Sequence, residues 1–340
     1  GGRLPIPLPP FHEVGEGLTR AKVATFTPRV AVEDPLVAAG IRTREERGGG
    51  GGRVAQSVAD PATVGMDPAR LARVAGIIRD ALADSAASGA AVAIGRHGKL
   101  VMLEGFGELA YGSGRPATPT SLWDLASVSK VVGTTTEAMI LVQEGKLDLD
   151  ARVVDYLPWW SRGDVRKDRV TVRQLLLHRT GLPAFKRWFF DHAGKQAYMD
   201  AAADEALESD PGTATVYSDI GIMTLSWIME GITGQPQDAY LEERVWSPLG
   251  MRETRYNPDA SLKPRVAATE LDTLWRHEMV WGRVHDENAD AMGGVAGHAG
   301  LFSTATDLSV FARMMLNGGV APACVPGQVP GEPCPVARPE

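Results

Sequence analysis

The chain has 340 residues, 44% hydrophobic and 23% charged, with a net charge of -7. That size permits a full core in one large or two modest domains. The acidic balance argues against nucleic acid or an anionic membrane as partner, since both call for clustered Lys and Arg, and no run of eighteen apolar residues is present to span a bilayer.

Residues 1 to 57 carry scattered Pro, alternating charge from Arg42 to Arg47 and five glycines from Gly48 to Gly52, which reads as a flexible leader. Short apolar pieces at Val23 to Phe26 and Val30 to Val32 are candidates for a strand added to a sheet edge. The chain starts at Gly1 with no charged start and apolar core, so a signal peptide is read as absent or already removed, and both cytoplasm and export stay open.

Order is expected from residue 58. Asp67-Pro68 opens a helix as an N-cap followed by Pro at the first turn, with Leu71, Val74, Ile77, Ile78 and Leu82 as its apolar stripe. Ala90 to Gly95 and Leu100 to Gly105 flank Arg96-His97-Gly98-Lys99 and predict a hairpin with His97 in the turn. A Pro- and Thr-containing loop, Pro116 to Thr120, leads into Ser121 to Lys130 and an apolar run from Val131 to Val142 that stops near Gly145. This run predicts a helix apolar all round, and therefore buried. Ser127 precedes Lys130 by three residues, which puts a nucleophile and a base on one helix face. At the start of a helix, unpaired N–H groups and the macrodipole favour developing negative charge.

Leu147 to Asp150 alternates before Tyr156-Leu157-Pro158, and residues 170 to 183 predict a capped helix ending at Gly181. His178 on its last turn reads as a cap for free carbonyls rather than as a catalytic group. Residues 197 to 250 read as helical, centred on Ile220 to Ile232 and stopped by Gly234, with Tyr217-Ser218-Asp219 just ahead. Residues 266 to 298 read mostly as loop, with His277, Glu278, His285, Asp286, Glu287, Asn288 and Asp290 clustered in it. Thr304 and Asp307 have capping-box spacing ahead of a helix from Leu308 to Leu316. From residue 319 the chain is a Pro/Gly-rich tail holding both cysteines, Cys324 and Cys334, whose disulfide would brace no core. No internal repeat is evident.

Leu125-Ala126-Ser127-Val128-Ser129-Lys130 followed by Tyr217-Ser218-Asp219 resembles the first two signature elements of the serine β-lactamase and penicillin-binding-protein-like family, in its esterase and class C-like branch. Val153 to Pro158, Thr171 to Pro183, Pro248 to Met251 and Gly293 to Leu308 are similar to further family segments, so the likeness covers roughly residues 65 to 318. The resemblance implies an α/β (α+β) fold, with an antiparallel sheet flanked by helices and a helical region from about 120 to 250. It also implies an acyl-enzyme on Ser127, with Lys130 and Tyr217 sharing the proton transfers. Asp219 stands where an asparagine is more usual in the family. A carboxylate there favours an ammonium and disfavours a tyrosinate, which leaves the identity of the base open.

The family's third element is a Lys- or His-x-Gly triplet on a late strand. His298-Ala299-Gly300 has the letters, but its surroundings resemble the segment before a helix that precedes the late strands. The expectation is therefore that the C-terminal strands are missing or replaced, and that the folded region, residues 58 to 318, is incomplete. The site expected is Ser127, Lys130 and Tyr217 for catalysis, with Asp219 and His298 contacting substrate, and no metal or cofactor.

The favoured function is a serine hydrolase acting on a small-molecule substrate: a small ester, a D-amino-acid peptide or a β-lactam. The alternatives are a non-catalytic or truncated ligand-binding homologue and, behind it, a metal-dependent hydrolase using the cluster from His277 to Asp290, which lacks a tight ligand pair. Trp159, Trp160, Trp188, Phe189 and Phe190 read as an acyl pocket or, more commonly for such pairs, as packing. The sequence leaves the oligomeric state open.

Overall fold

A computed structural model describes residues 57–319. The leader with its two candidate strands, and the tail from residue 320 with both cysteines, lie outside the described residues.

Asp67 accepts the amides of Ala69 (2.8 Å) and Arg70 and starts α1 (Pro68–Ala83) as expected. The stripe, however, is not buried: no α1 residue is, and Ile77 is 63% exposed. The hairpin forms from β1 (Gly89–Arg96) and β2 (Lys99–Gly107), antiparallel, with Arg96 opposite Lys99. His97 (φ 49°) and Gly98 (φ 74°) both take the left-handed conformation that a two-residue turn of matching twist requires.

After β3 (Trp123–Asp124) the segment bearing Ser127 departs from a regular α-helix. A 3₁₀ turn, Ala126–Val128, passes into a wide π-helical turn, Lys130–Thr135, and only then into α2 (Thr136–Gln143). Gly133 sits in that turn where a Cβ would meet the Tyr256 hydroxyl at 3.2 Å, so its bare backbone admits the tyrosine. Nor is the segment buried all round: Val131 and Met139 are exposed, while the acidic Glu137 is buried. The expected helix over 170–183 is shorter: α3 (Val172–Leu176), capped by Thr171 and Gln174 in reciprocal fashion, and the rest is loop.

The helical region continues with α4 (Lys195–Asp204) and α5 (Asp219–Thr233), the latter capped by the Ser218 hydroxyl and ended by Gly234 in the left-handed conformation. Then come β4 (Arg255–Tyr256), the paired β5 (Leu271–Asp272) and β6 (Glu278–Met279), α6 (Glu287–Ala291), β7 (Leu301–Ser303) and α7 (Ala305–Leu316). Thr304 caps α7 by accepting the Asp307 amide, so the helix begins three residues ahead of the expected Leu308, and the Asp307 carboxylate, in its first turn, accepts from Glu253 N and Thr254 Oγ1.

Antiparallel pairing is in three separate pieces among the described residues: β1 with β2, β5 with β6, and β7 between β3 and β4. Helix α7 packs across β1 and β2. The main apolar core runs from Leu122 to Met314 and surrounds α5; Trp160 and Trp246 are fully buried in it. Trp160 Nε1 donates to Thr224 Oγ1 there, so the tryptophan serves packing; Trp188 and Phe189 are buried too, and Phe190 is half exposed.

Candidate active site

Strand β3 delivers the chain to Ser127 through a sharp turn. Asp124 Oδ1 accepts the Ala126 amide (2.8 Å), and Ala126 adopts φ 45°, a left-handed conformation that is strained for a residue with a Cβ. Ser129 Oγ accepts the Leu301 amide at 3.1 Å and fastens the start of the helical segment to β7.

The wide turn leaves Lys130 with its side chain buried and Nζ at the centre of three oxygens. Ser127 Oγ lies at 2.9 Å, the His298 carbonyl at 2.9 Å and Asp219 Oδ1 at 2.8 Å. A nucleophile, a lysine, a carboxylate and a backbone carbonyl from three separate stretches thus meet within hydrogen-bond reach, the contact a paired nucleophile and base require. Asp219 comes from the first turn of α5, so its negative charge also faces the positive end of that helix.

Tyr217 is half exposed. It presents its ring to Lys130, with Nζ 4.8 Å from the centroid, and stacks on His178 with centroids 4.5 Å apart. His178 does not cap carbonyls of α3. It lies past the helix in a left-handed conformation (φ 55°), and its Nδ1 accepts the Ser218 amide at 3.1 Å. The proton of the neutral ring is then on Nε2. Burial, followed by the Lys130 charge, pushes this imidazole below its ordinary pKa. His178 thus holds the Tyr217-Ser218 stretch from behind, a role for which helix-end statistics carry no signal.

His298 enters the site by its backbone. Its ring is buried and Nε2 bonds Asp286 Oδ1 at 2.9 Å, so the side chain expected to contact substrate is engaged with Asp286 instead. The triplet His298-Ala299-Gly300 sits directly before β7, the middle strand of its sheet. Gly300 (φ 104°) passes so close to Gly294 O, 2.4 Å from where a Cβ would be, that only glycine fits.

Much of the polar cluster is taken up by ion pairs and hydrogen bonds. Asp290 binds Arg276 (2.7 Å) and Arg283, Glu278 binds Arg283, and Asn288 Oδ1 accepts from Tyr198 Oη and Phe189 N. Among the described residues no group of three or more His, Cys, Asp or Glu has a metal-ligand arrangement. The described residues also contain no helix long and apolar enough to cross a membrane.

Residues 74–324 match the family model described as Beta-lactamase. An Escherichia coli protein provisionally named a D-alanyl-D-alanine carboxypeptidase is 39% identical over 227 residues, 60% of this chain and 52% of the relative. One from Salmonella enteritidis with the same provisional name is 32% identical over 295 residues, 77% of this chain and 68% of the relative. The chain thus spans about half the length of the first of these and two thirds of the second. Among solved structures, FmtA from Staphylococcus aureus superposes with a TM-score of 0.62 (19% identity, 78% of this chain, 70% of that chain). A class C β-lactamase from Rhodobacter sphaeroides does so with 0.59 (24% identity, 73% and 66%). At those identities the likeness is one of fold: helices with antiparallel sheet.

Proposed function

We propose, from the premise that this chain belongs to the β-lactamase family, that it hydrolyses an ester or amide of a small carboxylic acid through an acyl-enzyme on Ser127. The observation that carries this reading is the 2.9 Å contact of Lys130 Nζ with Ser127 Oγ at the head of the helical segment. Ser127 Oγ attacks the acyl carbon as its proton leaves toward the Lys130 and Tyr217 pair. That proton then passes to the departing oxygen or nitrogen as the scissile bond breaks, and water attacks the ester formed on Ser127 by the same route in reverse. The Ser127 amide is the natural donor to the oxyanion.

Asp219 and the His298 carbonyl hold Lys130 in place. Tyr217, half exposed and over Lys130, is placed to contact the leaving group. A terminal D-amino-acid amide is the favoured substrate class, because the matching Escherichia coli and Salmonella proteins are provisionally named for that reaction. Small esters and β-lactams are the competing classes.

Intact mass after incubation with a fluorophosphonate, beside Ser127→Ala and Lys130→Ala, tests the chemistry. One adduct that is absent from the Ser127 variant supports it, and a folded parent without adduct refutes it. Release of D-alanine from a terminal D-Ala-D-Ala peptide, against a short-chain ester and a β-lactam, then tests the substrate class.

A further inference from the structure

Both reacting residues are tied to one loop, residues 285–298, that carries no nucleophile of its own. Asp124 accepts the Ala126 amide with one oxygen and the His285 amide (2.7 Å) with the other, so the turn that bends Ser127 is fixed to the loop's start. The next residue, Asp286, caps α6 through the Ala289 amide (2.8 Å) and bonds the His298 ring (2.9 Å) across the loop's end. His298 then gives its carbonyl to Lys130 Nζ. On either side, Gly297 O accepts from Thr134 Oγ1 (2.6 Å) and Leu301 N donates to Ser129 Oγ (3.1 Å), so this backbone is fixed to the helical segment before and after the carbonyl.

The imidazole is costly where it is. It is 1% exposed, and its Nδ1 is buried with no partner among the described residues. Burial alone would raise the Asp286 carboxyl. The His298 ring, its hydrogen bond, the Ala289 amide and Lys130 together overcome this and hold it well below the usual carboxylate range. Charged or titratable groups near the couple include Lys130, Asp124 and Tyr198, with His285 and Glu287 next to Asp286 in the chain and Asp219 across Lys130. A packing role would be met by an apolar pair at no such cost.

We propose that Asp286 and His298 are positioning residues for Lys130, the carboxylate–imidazole couple fixing the His298 carbonyl so that Nζ keeps its contact with Ser127 Oγ and is not drawn further toward Asp219. Of the three oxygens around Nζ, the carboxylate attracts it most strongly. The carbonyl opposes that pull together with Ser127 Oγ and the Tyr217 ring. If the couple is lost, the carbonyl is held only through the ties of Gly297 and Leu301 on either side, and a shift of about 1 Å at Nζ is enough to slow the reaction by about 10²-fold. This rests on the serine-hydrolase reading for its consequence in rate, but not for the placement of Lys130.

The test uses the full chain with His298→Ala and Asp286→Ala, and with His298→Gln and Asp286→Asn as variants that keep a donor and an acceptor near the original atoms. Two quantities are read. One is the rate of fluorophosphonate labelling at Ser127 as a function of pH. The other is the extent of acetylation of Lys130 by acetic anhydride relative to Lys146, whose side chain is 56% exposed.

The alanine variants are expected to label about 10- to 100-fold more slowly, with the pH of half-maximal labelling displaced, and to raise the Lys130 to Lys146 ratio. The amide variants are expected to recover most of both. If the alanine variants do not fold, the amide variants and their double variant decide the matter by whether losses stay coupled. Labelling within twofold of the parent, or slower labelling with an unchanged acetylation ratio and pH profile, overturns the proposal. A parent that does not label refutes the hydrolase reading alone, because the acetylation ratio needs no turnover.

Discussion

Glu137 is the most demanding test of how the site's backing is built. It lies on α2, is fully buried, and accepts from Gln237 Nε2 at 3.0 Å; Gln237 also reaches Thr134 Oγ1, which bonds Gly297 O beside the His298 carbonyl. Burial lifts the Glu137 carboxyl from 4.5 to about 8, against the opposing Gln237 hydrogen bond and with help from Glu230. Between those two pH values the group is neutral when folded and ionised when unfolded. The folded state then holds the extra proton, so stability is lost as pH rises through the window and the loss is complete above about 8. At about 1.4 kcal/mol per unit, the window is worth about 5 kcal/mol.

Glu137→Gln keeps an acceptor for Gln237 and cannot ionise. Its urea unfolding free energy, measured at intervals from about pH 5 to pH 9 and compared with the parent, should gain on the parent by about 4–5 kcal/mol across the range. Other titrating groups cancel in the difference. Parallel profiles, separated by a constant to within about 1 kcal/mol, would refute a neutral buried acid at this position.

Lys167 shows the opposite sign. Burial lowers its ammonium from 10.5 to about 8, and Nζ caps α4 through the carbonyls of Ala202 (2.7 Å), Ala203 (2.9 Å) and Glu205 (3.2 Å). The unfolded chain holds the extra proton between about 8 and 10.5, so stability should rise with pH in that window; Lys167→Met should abolish the rise and cost about 3 kcal/mol at neutral pH, read from urea midpoints. Gly300→Ala places a Cβ 2.4 Å from Gly294 O at φ 104°, so thermal unfolding should report a loss of about 2–4 kcal/mol, and a loss below about 1 would mean the loop yields easily. His178→Phe can still stack on Tyr217 but leaves the Ser218 amide without its acceptor; about 1–2 kcal/mol of stability should go, with slower labelling of Ser127, and an unchanged midpoint would remove His178 from the site's support.

The sequence carried the elements whose signals are local. Asp67-Pro68, His97-Gly98, Gly234 and the Thr304 cap are turns and caps read from a few neighbouring letters, and each is where it is expected. What escaped depended on partners far along the chain. The wide turn at Lys130–Thr135 follows from Tyr256 pressing on Gly133 and from Nζ having oxygens to meet on two other segments, neither of which periodicity can register. The exposure of Val131 and Met139, and the burial of Glu137 between them, have the same origin. For the site, the Ser127 and Lys130 spacing and the Tyr217-Ser218-Asp219 stretch were legible. The service of His298 by its carbonyl and of His178 by its Nδ1 was not, because a letter does not say which atom of a residue is used.

The main apolar core starts at Leu122, and neither α1 nor the β1–β2 hairpin contributes a residue to it. Every group around Lys130 is on the other side of that boundary. The hairpin's own buried residues, Leu100, Val101, Met102 and Phe106, lie outside that core, and α7, which carries Phe311 and Met314 of it, packs across the hairpin and joins the two. With no residue of α1 buried, α1 and the hairpin are expected to open at lower cost than the arrangement around Lys130. In amide exchange, the α1 and hairpin protons would be replaced early and together, and those of α5 only on global opening. Protease cleavage confined to residues 68–107 would then leave the arrangement around Ser127 standing.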